Sequence, residues 1–228
     1  YPELHRLFPK LIYCSISGYG RTGPFAERPG YDAILQAEGG MMSITGPVDG
    51  PPSRVGIPII DITSGMFAAT AILAALHARD LTGEGQQVDI SLFDSHIALL
   101  SNVASNYLVG EAAPRRLGNA HPNLAPYEAF AARDGWFVLG VANERQWEML
   151  CDMLGRADMK TDSRFASNGA RVANRDALLD ELNAIFSRRD VDDWLADIIK
   201  AGLPCGPINS IPQVFAHPQT QARNMTIE

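Results

Sequence analysis

Cysteine is scarce in this 228-residue chain: Cys14, Cys151 and Cys205 are all it has. They are odd in number and far apart, so they form neither a CxxC metal pair nor a disulfide framework. Each reads as a small buried hydrophobe, and a reducing compartment, the cytoplasm, is the expected location. Basic runs are missing as well. The net charge is −7 and the pI about 5.2, which argues against a nucleic-acid partner and favours solubility. The histidines, His5, His77, His96, His121 and His217, show no HExxH or paired ligand spacing, so no metal site is expected. Ser17-Gly18 and Ser64-Gly65 lack the GxSxG frame, which leaves serine hydrolysis poorly supported. No signal-peptide pattern is present. The apolar stretch 62–76, interrupted by Ser64, Gly65 and two threonines, is too short for a membrane span, so no membrane partner is expected.

What is present supports a packed core. Hydrophobic residues make up 46% of the chain, enough for one large domain or one and a half. The chain opens at Tyr1 in mid-pattern, a helix end running into a strand, and reads as an interior piece of a longer protein. Leu11–Ser17 (LIYCSIS) is a short apolar run rich in β-formers, the pattern of a buried strand. A Gly/Pro loop covers 18–30. Residues 32–42 predict a helix with Ile34, Leu35 and Ala37 inward; 46–53 (GPVDGPPS) is turn-rich. A long helix is expected over 62–79, a strand over 87–91 and a second long helix over 92–109. Strand, helix, strand, helix in that order indicates a parallel α/β layer.

From Pro114 the composition changes. PRRLGNAHPNLAP is a polar connection, and a boundary is expected near 112–125, separating 1–115 from 116–228. Tyr127–Ala131 and Trp136–Val141 flank Arg133-Asp134-Gly135, a hairpin signal. Helices are expected near 144–154, 175–186 and 191–201, and the tail carries a short one. The fold class read from this order is α/β: part of a large Rossmann-like parallel-sheet domain, then a smaller α+β domain with a hairpin and helices.

Two motifs bear on chemistry. Gly18-Tyr19-Gly20-Arg21-Thr22-Gly23 fits GxGxxG after a strand, but Pro24 follows and no helix opens, so the dinucleotide reading is weak. Its glycines read as allowing a sharp turn or a close approach to a ligand. The second motif is one carboxylate. From Val55 to Ala78 the only side chain charged by default at neutral pH is Asp61, in a segment that reads as a fully buried helix. Burying a carboxylate is costly unless it is hydrogen-bonded. Asp61 is therefore a helix cap or a chemical tool. Both readings can hold together: helix N–H groups would keep it ionised, and an ionised, poorly hydrated carboxylate attacks activated acyl groups. His77 and His96 read as satisfied core or boundary residues on long helices. His121, in the loop GNAHPN, is a candidate ligand contact.

Several stretches taken together resemble the class III CoA-transferases, the formyl-CoA transferase and carnitine CoA-transferase family. They are LIYCSISGYGRTGP, RPGYDAILQAEGGMMSITGPVDGPP, VGIPIIDITSGMFAATAILAALHARDLTGEGQQVDISLFDS, LAPYEAFAARDGWFVLGV, RDALLDELNAIF and GLPCGPINSIPQVFAHPQ. NYLVGEAAPRRLGNAHPNLAPYEAF is most similar to the succinyl-CoA:glutarate branch. The resemblance implies that Asp61 is the catalytic aspartate, attacking an acyl-CoA thioester to give a mixed anhydride and then an aspartyl-CoA thioester. It implies coenzyme A and acyl-CoA as substrates, with no tightly bound cofactor, short carboxylic acids as partners, and an interlocked homodimer completed by segments outside this chain. Tyr31 stands where related racemases carry a histidine base; a phenol is a poor base at neutral pH, which argues for transfer over racemisation. Tyr31 is then a substrate-site residue, with Arg28 toward CoA and Asn119 and His121 toward the acyl group. Gly39 and Gly40 are candidate oxyanion donors or a helix C-cap. Arg115 and Arg116 could read a second carboxylate or sit in a solvated loop. The rival readings are a 2-methylacyl-CoA racemase and a non-catalytic acyl-CoA-binding protein.

Overall fold

The computed structural model describes residues 1–111 and 113–226; Ala112, inside the expected boundary region, lies outside the described residues. The chain divides into two compact units, Tyr1–Gly118 and Asn119–Glu228.

The first unit opens with α1 (Pro2–Leu7) and β1 (Tyr13–Ser17). A long crossover then holds α2 (Asp32–Glu38), α3 (Met41–Ile44) and α4 (Ile59–Thr82). It leads to β2 (Gln87–Ser91), which pairs in parallel with β1, Tyr13 opposite Gln87 and Ser17 opposite Ser91. Ser15 Oγ donates to Asp89 Oδ1 across the pair at 3.0 Å. α5 (Leu92–Leu99) leaves β2 with no loop, because Ser91 Oγ accepts the Asp94 N–H at 2.9 Å and caps the helix. α6 (Ser101–Gly110) follows.

Three expectations for this unit are corrected. The helix read over 92–109 is broken where Ser101 takes a left-handed φ of 45°, which a right-handed helix cannot absorb. The buried face of α2 is not Ile34, Leu35 and Ala37. Leu35 is buried, but Asp32 and Gln36 hold the other inward positions and Ile34 is exposed. α4 is not buried all round either: only Ile60, Ser64, Ala68 and Ala75 are. These lie on one stripe, and the helix packs against β1, β2, α2 and α5. Ile62, Met66, Phe67 and Leu73 are exposed. An all-round apolar sequence shows what a helix could pack against; this chain supplies a cover for one side. At 24 residues α4 is also longer than the 62–76 stretch judged from sequence, and by length and composition alone it could cross a membrane.

The second unit is built on a hairpin, β3 (Tyr127–Ala131) and β4 (Trp136–Gly140), with Ala131 opposite Trp136. Around it lie α7 (Glu144–Met153), α8 (Asp158–Thr161), α9 (Asn168–Ala173), α10 (Arg175–Phe186) and α11 (Val191–Lys200). β5 (Cys205–Pro207) adds antiparallel to β4, and α12 (Ile211–Ala216) and α13 (Pro218–Ala222) end the described chain. Phe186 is the centre of the core, 5.0 Å from Phe130, 5.2 Å from Phe137 and 5.1 Å from Trp194 between ring centroids. Burying each such side chain contributes roughly 1.5–3 kcal/mol. Arg171 is fully buried among them. Its Nε donates to the Ala125 carbonyl at 2.7 Å and its Nη1 to the Phe165 carbonyl at 3.0 Å and to Glu144 Oε2 at 2.8 Å. The three thiols are free; Cys151 is buried, and burial pushes it up to about 11.

Candidate active site

The approach to the site is a loop closed by two glycines. A Cβ on Gly18 would stand 2.6 Å from the Gly30 backbone, and one on Gly30 would stand 2.4 Å from Gly18 Cα. Only hydrogen at both positions lets the two backbone segments cross so closely. The first glycine of the GxGxxG string therefore serves a backbone crossing, and no helix opens until Asp32. The crossing returns the chain to the start of α2, where Tyr31 is the N-cap residue.

Asp32, in the first turn of α2, reaches across to the head of α4. Its Oδ1 accepts the Ile60 N–H at 2.8 Å and the Asp61 N–H at 3.4 Å. Its Oδ2 accepts from Gln36 Nε2 at 2.6 Å, and Gln36 Oε1 accepts the Val55 N–H at 2.8 Å. Pro58, at the N-cap of α4, has no side chain that can cap. The cap thus comes from another helix. Asp61 lies in the first turn of α4, as a first-turn acid, but the expectation that it caps the helix is corrected: its carboxylate has no hydrogen-bond partner among the described residues. Nor is it held more readily ionised. Desolvation, and then the charge of Asp32, raise its carboxyl above the ordinary carboxylate value. Asp61 is itself exposed, at the edge of the apolar side of α4. One turn on, Ser64 keeps a buried hydroxyl with no partner among the described residues.

The other first-unit residues divide. Tyr31 is 70% exposed, next in sequence to the Asp32 that holds Asp61. Arg28 is paired: it meets Glu38 at 2.7 Å and lies over the rings of Phe25 and Tyr19. Tyr19 Oη donates to the same carboxylate at 2.6 Å, and these two bonds hold Glu38 below its ordinary value. The N–H groups of Gly39 and Gly40 donate to the Leu35 and Ala37 carbonyls, so in this conformation neither is free for an oxyanion; both close the end of α2. Gly39 has a steric reason to be glycine, because the His96 ring lies against it. His96 is fully buried, and among the described residues neither ring nitrogen has a geometrically aligned hydrogen-bond partner, so it is not the satisfied core residue expected. Burial lowers its imidazole, against smaller opposing effects of the Leu35 backbone and the Asp32 charge. His77 is exposed. Arg116 is committed to the 47–50 turn, donating to the Pro47 and Gly50 carbonyls at 3.2 and 2.8 Å. Arg115 is exposed.

Asn119 and His121 belong to the second unit. Asn119 is exposed in a turn. His121 stacks on Tyr127 at 5.3 Å, and its Nδ1 accepts the Asn123 N–H at 3.0 Å. That bond puts the proton of the neutral ring on Nε2. Arg175 fixes the loop by donating to the His121 and Leu124 carbonyls while pairing with Glu128. Among the described residues no group of three or more His, Cys, Asp or Glu is placed to hold a metal.

Sequence reasoning missed Asp32 and Gln36. A local signal existed, an acid and an amide four apart at a helix start, but their targets lie in another helix.

Comparison with known proteins gives a consistent answer. The chain is 46% identical over its whole length to an acyl-CoA transferase of Fusarium pseudograminearum, covering 50% of that protein. It is 43% identical to a succinate–glutarate CoA-transferase of Agrobacterium fabrum, covering 57% of it. A CAIB/BAIF family protein from Brucella suis matches in structure with a TM-score of 0.82 and 46% identity over the whole chain and 60% of its own length. The chain thus spans about half the length of the curated relatives it matches. The model of CoA-transferase family III matches residues 1–228, and the chain belongs to that family.

Proposed function

We propose that the protein carrying this chain transfers coenzyme A from an acyl-CoA to a short carboxylic acid, with Asp61 as nucleophile. The observation that carries this reading is the uncommitted Asp61 carboxylate at the head of a helix capped by another residue. Asp61 attacks the thioester carbonyl; the C–S bond breaks, giving a mixed anhydride and CoA thiolate. The thiolate attacks the Asp61 acyl carbon and releases the donor acid, leaving an aspartyl-CoA thioester. The acceptor carboxylate then attacks that thioester, re-forming an anhydride and free thiolate. Attack of the thiolate on the acceptor acyl carbon regenerates Asp61 and releases the new acyl-CoA. A raised carboxyl pKa favours this chemistry, since a more basic carboxylate is a stronger nucleophile once ionised.

A relative named for succinate and glutarate supports dicarboxylic acids as substrates, with succinyl-CoA as a donor. Tyr31 serves as a substrate contact, Arg28 acts on the CoA side, and Asn119 and His121 act on the acyl side. Coenzyme A enters as substrate, without a resident cofactor. The bare apolar side of α4 supports an interlocked homodimer in which further chain covers it. The proposed location is cytoplasmic. The test is a screen of acceptor acids against succinyl-CoA with the full-length protein, together with hydroxylamine trapping of an Asp61 adduct. Adduct formation, with loss of transfer in Asp61→Ala, is expected. Full activity in Asp61→Ala, or α-proton washout from 2-methylacyl-CoA in deuterated water without an acceptor, would overturn the reading.

A further inference from the structure

The head of α4 needs acceptors for its first N–H groups, and its own N-cap, Pro58, supplies no side-chain oxygen. Two buried polar residues of α2 take over. Asp32 is 8% exposed and Gln36 fully buried. Between them they hold three backbone N–H groups, those of Val55, Ile60 and Asp61, and they hold each other. We infer that Asp32 and Gln36 are positioning residues for Asp61: their clasp fixes the head of α4 and leaves the Asp61 carboxylate free to meet an acyl group. The inference rests on the nucleophile reading above. An aspartate in a first turn commonly folds back onto the helix N–H groups. Here that task is already done, and the one donor Asp61 owns, its N–H, is also tied to Asp32. An error of about 1 Å in placing a reacting group can cost roughly 100-fold in rate.

The clasp has a fixed polarity that can be exchanged. A carboxylate accepts on both oxygens; an amide accepts on one side and donates on the other. In Asp32→Asn the new NH₂ must face either the NH₂ of Gln36 or the N–H groups of α4, and both meetings are repulsive. Adding Gln36→Glu restores the pairing: the amide introduced at position 32 donates to one oxygen of the new carboxylate, while the other still accepts from Val55. The exchange keeps these four hydrogen bonds, gives up the longer one from Gln36 Nε2 to the Ile57 carbonyl at 3.5 Å, and moves the charge one helical turn from Asp61. The titratable groups at this spot are Asp32 from α2, Asp61 from α4 and His96 from α5.

The experiment measures CoA transfer and thermal melting of the full-length protein and three variants, Asp32→Asn, Asp32→Asn/Gln36→Glu and Asp61→Asn. Asp32→Asn is expected to lower kcat about 100-fold with little change in KM. The exchange is expected to recover most of that loss. In both, the acid limb of kcat/KM moves to lower pH, a shift that a purely structural role would not produce. Wild-type kcat in Asp32→Asn, or an exchange variant no better than Asp32→Asn, overturns the inference. If Asp32→Asn does not fold, the exchange variant alone decides: near-normal kcat supports the clasp, and kcat lowered about 100-fold overturns it. Asp61→Asn separates the two claims. Full activity there sinks the nucleophile reading itself, whereas an inert Asp61→Asn beside a fully active Asp32→Asn sinks only the clasp.

Discussion

Placing a methyl group on Gly39 tests the packing behind the site. The backbone does not object, since φ −82° and ψ −1° are ordinary for alanine. The obstacle is His96. A Cβ at position 39 would stand 1.8 Å from its Nδ1, 2.2 Å from Cε1 and 2.9 Å from Cγ, where ordinary contact begins at 3.4 Å. The ring, or α5 with it, must retreat by about 1.6 Å in an interior packed as densely as a crystal. Overpacking of this kind costs about 1–3 kcal/mol. The net expectation for Gly39→Ala is a loss of about 2 kcal/mol. Urea titration with hydrogen exchange at first-unit amides reads it directly. In a His96→Ala background the same methyl should cost almost nothing, giving a coupling energy of about 2 kcal/mol. A Gly39→Ala protein as stable as wild type, or an unchanged penalty without the imidazole, would refute the reasoning.

Other expectations follow from the same geometry. Asp61→Asn should lower transfer at least about 1,000-fold while leaving the melting temperature at pH 7 equal or higher. The sign follows from the raised carboxyl: its ionised form costs more in the folded state than in the unfolded one, so removing the charge stabilises above that raised value. The difference should vanish as pH falls through and below the ordinary carboxylate range, as melting curves against pH will show. The acid limb of wild-type kcat/KM should likewise lie above the ordinary aspartate value. Arg171→Ala strips the Ala125 and Phe165 carbonyls of their donor and leaves a cavity, at a cost of about 3 kcal/mol or more in urea titrations of the second unit. Cys151, buried with its thiol near 11, should resist iodoacetamide at pH 8 under native conditions and react once unfolded.

Patterns confined to a short window were legible in the sequence. The 87–91 strand, the hairpin strand 127–131 and the helix 175–186 lie where period and turn residues put them. β5 was not legible, because Cys-Gly-Pro has no strand character and takes its shape from β4. The break at Ser101 gave no local warning, since no glycine or proline stands there. Asp61 could be found because it is the single charge in an apolar segment. Its surroundings could not, because capping rules read neighbours two or three positions away and the cap sits 28 residues upstream of Ile60. The same rules misread α2, whose inward polar pair makes sense only beside α4.

The parallel pairing of β1 with β2 sets an order of assembly. Tyr13 must find Gln87 across the entire crossover, whereas the hairpin of the second unit closes a short turn between Ala131 and Trp136. Closing a long loop loses chain entropy before any contact rewards it, so the second unit should fold first and the Asp61-bearing crossover later. All three tryptophans, Trp136, Trp147 and Trp194, lie in the second unit. Intrinsic tryptophan fluorescence would therefore report refolding as complete while the reactive carboxylate is still unplaced, and a lag between recovered fluorescence and recovered turnover would time the closing of the crossover.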